Sequence, residues 1–140
     1  MRTAIDTNVI SALWSAEPLS KGLPEILEKA ADEGGLVICA PVYAELHAHP
    51  GAAADFVDRF LAATAITIDF DLGEPVWREA SLRFARYAKR RRGSGGGRAK
   101  RFLVDFVVGA HALLRADRLL TLDTSRYGKD FPELKQIECA

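Results

Sequence analysis

Apolar and polar positions along the chain follow two periods in turn. Thr3-Ala4-Ile5, Leu36-Val37-Ile38-Cys39-Ala40, Ile66-Thr67-Ile68 and Leu119-Leu120-Thr121-Leu122 are short apolar runs, as expected of strands. Between them lie stretches with apolar residues at helical spacing. Val9 to Trp14 is the first, opened by Asp6-Thr7-Asn8, whose side-chain oxygens suit the free N–H groups of a helix start. Residues 19–33 carry Leu23, Ile26, Leu27, Ala30 and Ala31 as one stripe, ended by Gly34-Gly35. Pro41 fits the first turn of a helix from Val42 to Ala48, which stops before Pro50. Ala52 to Ala63 turns Phe56, Val57, Phe60 and Leu61 inward. Asp71-Leu72-Gly73-Glu74 has capping-box spacing and opens a long helix, with Val76, Trp77, Ala80, Phe84 and Tyr87 on its apolar side. After Leu122 the chain reads as irregular through Gly128 and Pro132, and Lys135 to Glu138 adds a short edge strand.

Strands alternating with helices imply crossover connections. The expected fold is a single α/β domain over residues 1–140, three layers deep. A mainly parallel central sheet of four to five strands carries helices on both faces. The most apolar helix, Phe102 to Leu114, holds one carboxylate, Asp105, which is costly among hydrophobes unless something pairs with it. Gly109 and Ala112 keep that side of the helix slim enough for close approach.

Four acids fall into place on this skeleton. Asp6 ends the first strand and Asp123 the fourth; Glu45 lies about one turn after the second, and Asp105 near the start of its helix. In open parallel sheets, ligand sites gather beyond the carboxyl ends of the strands. Each acid has an ordinary explanation. Asp6 serves as a helix cap, Asp123 as a turn residue, Glu45 as a solvated side chain and Asp105 as a charge favoured by the helix dipole. Their shared placement is what carries weight. Clustered carboxylates must share protons or bind cations, and a hard ion with oxygen ligands, Mg²⁺ or Mn²⁺, suits them best. Such an ion activates water and stabilises the leaving oxygen of a phosphodiester. Zinc fits less well, since His47 and His49 point to different sides of a helix and His111 stands alone.

Composition adds little direction. The chain has 19 basic and 19 acidic residues, so no global field draws it to nucleic acid. Cys39 and Cys139 lack metal or redox spacing, and the N-terminus lacks a signal peptide's apolar core, which makes the cytoplasm the default location. The distribution of charge is less neutral than its total. Seven of the basic residues lie between Lys89 and Arg101, around Gly93-Ser94-Gly95-Gly96-Gly97. Alone, that run is a solvated helix end; beside an acidic metal site, it suits phosphate capture. Arg90, Arg91, Arg98 and Arg101 are then the expected phosphate contacts.

Ile5-Asp6-Thr7-Asn8-Val9-Ile10, Val42-Tyr43-Ala44-Glu45-Leu46, Val104-Asp105-Phe106-Val107-Val108-Gly109-Ala110-His111-Ala112 and Ala116 to Asp123 resemble the acidic motifs of PIN-domain ribonucleases, and most closely those of VapC-type toxins. The resemblance implies a metal-dependent endoribonuclease, usually dimeric, held inactive by a cognate antitoxin and leaving a 5′-phosphate and a 3′-hydroxyl. It makes Asp6, Glu45, Asp105 and Asp123 the quartet around Mg²⁺. Asn8, Thr121 and Ser125 become supporting hydrogen-bonding groups. Three rivals stand beside it. An aspartyl-nucleophile phosphatase would carry a second Asp two residues after Asp6, where Asn8 stands. A phosphoreceiver domain would carry an acidic pair after the first strand. A PIN-like module that binds nucleic acid without cutting it differs only in assay.

Overall fold

The computed structural model describes residues 1–18, 21–95 and 102–137. Five strands, β1 (Thr3–Ile5), β2 (Leu36–Cys39), β3 (Ile66–Asp69), β4 (Arg118–Leu120) and β5 (Gln136–Ile137), form one sheet in the order β3-β2-β1-β4-β5. The four pairings among the described residues are parallel, and every successive pair of strands is joined through helix. The helices are α1 (Thr7–Trp14), α2 (Leu23–Gly34), α3 (Ala40–Leu46), α4 (Phe56–Ala63), α5 (Gly73–Gly93), α6 (Leu103–Arg115) and α7 (Thr124–Asp130). They flank the sheet: α2 packs on β1 and β2, α4 on β3, and α6 on β1 and β4, with α5 laid against α6. The central strands are buried throughout, as continuous apolar runs require.

Several local expectations need correction. The capping box at Asp71 does not form. Asp71 Oδ1 accepts the Gly73 N–H at 3.1 Å in a tight turn, while Glu74 pairs with Arg78 at 2.7 Å. Trp77 is 47% exposed, because the buried line of α5 runs Val76, Ala80, Tyr87. Residues 124–130, read as irregular, form α7. His111 is not a lone side chain: fully buried, its Nε2 lies 2.8 Å from Asp69 Oδ2 at the end of β3. Burial lowers its pKa, which is the ordinary state of a satisfied core histidine. Leu19, Ser20 and Glu138 lie outside the described residues, so the ends of two expected elements do as well.

Aromatic packing fixes the other half of the core. Phe106 of α6 meets Phe84 and Tyr87 of α5, at 5.2 and 5.4 Å between ring centres, and Phe131 after α7, at 6.2 Å. Gly109 belongs to this cluster. A Cβ there would land within contact distance of three carbons of the fully buried Phe131 ring, so the slim side of α6 serves that ring and not the acids. Replacing Gly109 by Ala is therefore expected to lower stability by about 1–3 kcal/mol in urea denaturation, as overpacked cores do. Unchanged stability would show that the ring has room to move.

Candidate active site

Strand order reverses between β1 and β4, and the crevice above that switch point is where open α/β sheets hold ligands. Asp6 follows β1 directly and caps α1, accepting the Thr7 N–H at 2.8 Å. Thr121 follows β4 directly, and its buried hydroxyl donates to the second Asp6 oxygen at 2.9 Å. The same hydroxyl oxygen accepts from Asp123 N–H at 3.1 Å and from Asn8 Nδ2 at 3.4 Å. Asn8 Oδ1 in turn accepts the Leu122 N–H at 3.2 Å. One hydroxyl thus uses its proton and both lone pairs to lock the two strand ends together.

The remaining acids join from the flanking helices. Glu45, on α3 just beyond β2, accepts the Thr7 hydroxyl at 2.7 Å. Asp105 lies in the first turn of α6, where the helix dipole favours a negative charge. Its nearness raises the pKa of Asp6. Arg126, on α7, spans the last two acids: its Nε is 3.0 Å from Asp123 Oδ2 and its Nη1 is 3.4 Å from Asp105 Oδ2. All four acids therefore stand at one edge of the sheet, in one connected network. Ser125 is exposed and outside it.

The buried acid is Asp6, not Asp105. Asp6 is 8% exposed, whereas the Asp105 side chain is 21% exposed. Burial, with a smaller push from the charge of Asp105, raises the Asp6 pKa from 3.8 to about 6. The hydroxyls of Thr121 and Tyr127 and the Thr7 N–H oppose that rise. Cys39, buried at the end of β2, has its thiol pushed up to about 12 by burial, which keeps it from acting as a nucleophile.

Among the described residues, no three His, Cys, Asp or Glu side chains stand close enough to hold one ion between them. A closed four-carboxylate cage is therefore not what these residues form. The donor set nonetheless fits Mg²⁺ or Mn²⁺: all four groups are hard oxygen ligands, and Mg²⁺ usually keeps several waters and takes only one or two carboxylates. The raised pKa of Asp6 is a second point of fit, since a carboxylate held at a cost gains most from a cation.

Of the basic residues, Arg90 has a different task from the one expected. It pairs with the nearly buried Asp130 at 2.6 Å and lies over the Tyr87 ring, fastening α5 to α7. Arg91 sits in the last turn of α5, and Arg98 and Arg101 lie outside the described residues. Arg126 and Tyr127 escaped sequence reading because α7 did. The one available signal was the spacing of Tyr127 and Phe131, one helical turn apart.

The sequence profile of the PIN domain matches residues 3–131. Comparison with curated proteins gives no match. Among solved structures, the chain resembles one in VapBC2 from Rickettsia felis, bound to a DNA fragment from their promoter, with 19% identity, 98% of each chain covered and a TM-score of 0.65. It also resembles one in a toxin–antitoxin complex from Klebsiella pneumoniae, with 16% identity over 99% of this chain and 98% of that one and a TM-score of 0.63. For FitAcB from Neisseria gonorrhoeae the values are 18%, 98% and 97%, and 0.62.

A carboxyl whose pKa rises on folding costs stability as the pH climbs past its unfolded value, and the cost is complete above the folded value. For Asp6 that cost is about 3 kcal/mol well above pH 6. Asp6→Asn removes it but sets an amide donor against the Thr121 hydroxyl, losing about 1 kcal/mol. The metal-free variant is accordingly expected to be more stable than the parent at pH 8. That advantage should shrink as the pH falls from 6 to 4 and be gone below the unfolded value of 3.8, where the parent carboxyl is protonated in both states. A variant less stable at every pH would contradict this account.

Proposed function

The chain belongs to the PIN-domain family, and from that premise we propose that it is a metal-dependent endoribonuclease, the toxin of a type II toxin–antitoxin pair. One observation carries the reading: the Thr121 hydroxyl joins Asp6 to the Asp123 backbone across the switch point, with Glu45 and Asp105 tied into the same edge. A bound Mg²⁺ or Mn²⁺ would supply an activated water and charge neutralisation at the scissile phosphodiester.

Asp6 and Asp105 are the direct holders of that ion in this reading, with Glu45 and Asp123 holding it directly or through water. Asn8 and Thr121 do not touch the ion. They fix the direction in which Asp6 and the Asp123 backbone present themselves, which keeps the ligands from rearranging as charge develops. Arg91, with Arg98 and Arg101, supplies phosphate contacts that hold RNA without reading its sequence. Arg90, paired with Asp130, is left out of that set in this reading.

The solved structures with this fold include toxin–antitoxin complexes. A partner of that kind is proposed here too, and the surface offers a place for it. Leu13, Trp14, Leu27, Ala31, Phe60 and Ile66 line an apolar cleft of about 480 Å³ between α1, α2 and α4. An amphipathic segment of an antitoxin laid in that cleft would bury it. The working toxin is proposed to be a cytoplasmic homodimer.

The decisive assay is cleavage of RNA with Mg²⁺ present. Asp6→Asn and Asp105→Asn are expected to abolish cleavage while leaving the fold intact by circular dichroism, and EDTA to stop the parent. Full activity in either variant, or indifference to EDTA, refutes the proposal. Neutralising Arg91, Arg98 and Arg101 together should weaken RNA binding and reduce the slope of log affinity against log salt by about 2–3. An unchanged slope would remove these residues from the RNA contact.

A further inference from the structure

The position of Arg126 bears on how the acidic site meets a cation. Its guanidinium spans two of the four acids, with Nε 3.0 Å from Asp123 Oδ2 and Nη1 3.4 Å from Asp105 Oδ2. These acids come from separate elements, Asp105 from α6 and Asp123 from the start of α7, so the contact is not merely a pairing along one helix. The acids on the other side of the site are satisfied differently: Asp6 and Glu45 accept from Thr7 and Thr121, which are neutral donors. Positive charge from the chain itself thus reaches Asp105 and Asp123, while Asp6 and Glu45 receive dipoles.

We propose that Arg126 is the resident counter-ion of Asp105 and Asp123, exchanged for the divalent cation when the site is loaded. The proposal rests on the metal reading above. Two carboxylates engaged by a guanidinium give up those charge-assisted hydrogen bonds before they ligate an ion, and a cation bound there next to the guanidinium would be repelled by it. Arg126 therefore sets the affinity of the site: it weakens metal binding and holds the metal-free acids together. It is a positioning residue, acting on the acids and not on the reacting atoms. The Arg126 side chain is 44% exposed, which leaves it solvent into which it can swing on displacement.

The test is Mn²⁺ titration of the whole protein by calorimetry, with Asp105→Asn as the control for the site. Arg126→Ala is expected to bind Mn²⁺ about tenfold more tightly than the parent or better. Arg126→Lys, which keeps the charge, should stay close to the parent. Low guanidinium chloride should weaken binding by Arg126→Ala far more than binding by the parent, because it restores the missing group. Unchanged or weaker Mn²⁺ binding by Arg126→Ala, with Asp105→Asn still abolishing it, overturns the role given to Arg126 and spares the metal reading. Absence of Mn²⁺ binding from both parent and Arg126→Ala overturns the two together. Should the alanine variant fail to fold, Arg126→Gln carries the same comparison.

Discussion

A buried carboxylate at the end of β1 is the constraint to which the rest of this molecule answers. Asp6 is largely shielded from water, so each oxygen needs a donor from the chain. Thr7 N–H supplies one, which dictates that α1 starts at that residue. The Thr121 hydroxyl supplies the other, which dictates that β4 ends there and that Asn8 and Asp123 N–H turn inward to complete its bonding. Sheet edge, helix start and loop geometry follow from satisfying one group. The satisfaction is incomplete, since burial still raises the pKa to about 6, a cost that a cation would relieve under the proposed function.

The charged groups farther out are placed by their neighbours in sequence. Phe106 is fully buried among Phe84, Tyr87 and Phe131, and Asp105 precedes it. Tyr127 is buried against Phe131, and Arg126 precedes it; Arg90 fastens α5 to α7 through Asp130. Burying one such aromatic side chain contributes about 1.5–3 kcal/mol. An exposed ion pair contributes about 0–1 kcal/mol. The rings therefore decide where α6 and α7 lie, and the ion pairs between Arg126 and the acids adjust within that frame.

Much of this was legible from the chain. Continuous apolar runs marked the buried strands, and helical spacing marked the helices between them. Strand-end placement brought Asp6, Glu45 and Asp123 to one edge before any contact was known, and left Asp105 where it could join them. The failures have a common cause. Thr124-Ser125-Arg126-Tyr127-Gly128-Lys129-Asp130 has one buried apolar residue, Tyr127, so no local period announced α7. The partner of Arg90 lies 40 residues away, Phe131 packs on Phe106 of α6, and local pattern carries no record of such distances. Even the capping box failed on a tertiary detail: Gly73 enters α5 at a φ of +73°, and the Arg115 guanidinium stands where its Cβ would be. Asp105 misled for the opposite reason. Of its apolar neighbours in sequence, Phe106, Val107 and Val108 are buried, but Phe102 and Leu103 are exposed, so the acid lies in the open first turn of α6 and not in its oily middle.

The way the acids are satisfied also bears on how such a site can be both stable and ready. A cage of four carboxylates with no ion would repel itself, at a cost of several kcal/mol per close pair in a poorly solvated crevice. Here each acid has a donor from the chain: Thr7 for Glu45, Thr7 and Thr121 for Asp6, Arg126 for both Asp105 and Asp123. The acids are thus held in place by the chain's own donors. Under the proposed function, loading exchanges donors within a finished frame, and only side chains at the crevice mouth need move. Asp6 and Thr121, deepest in the network, stay where they are, which makes them the fixed reference against which a cation and a phosphodiester are positioned.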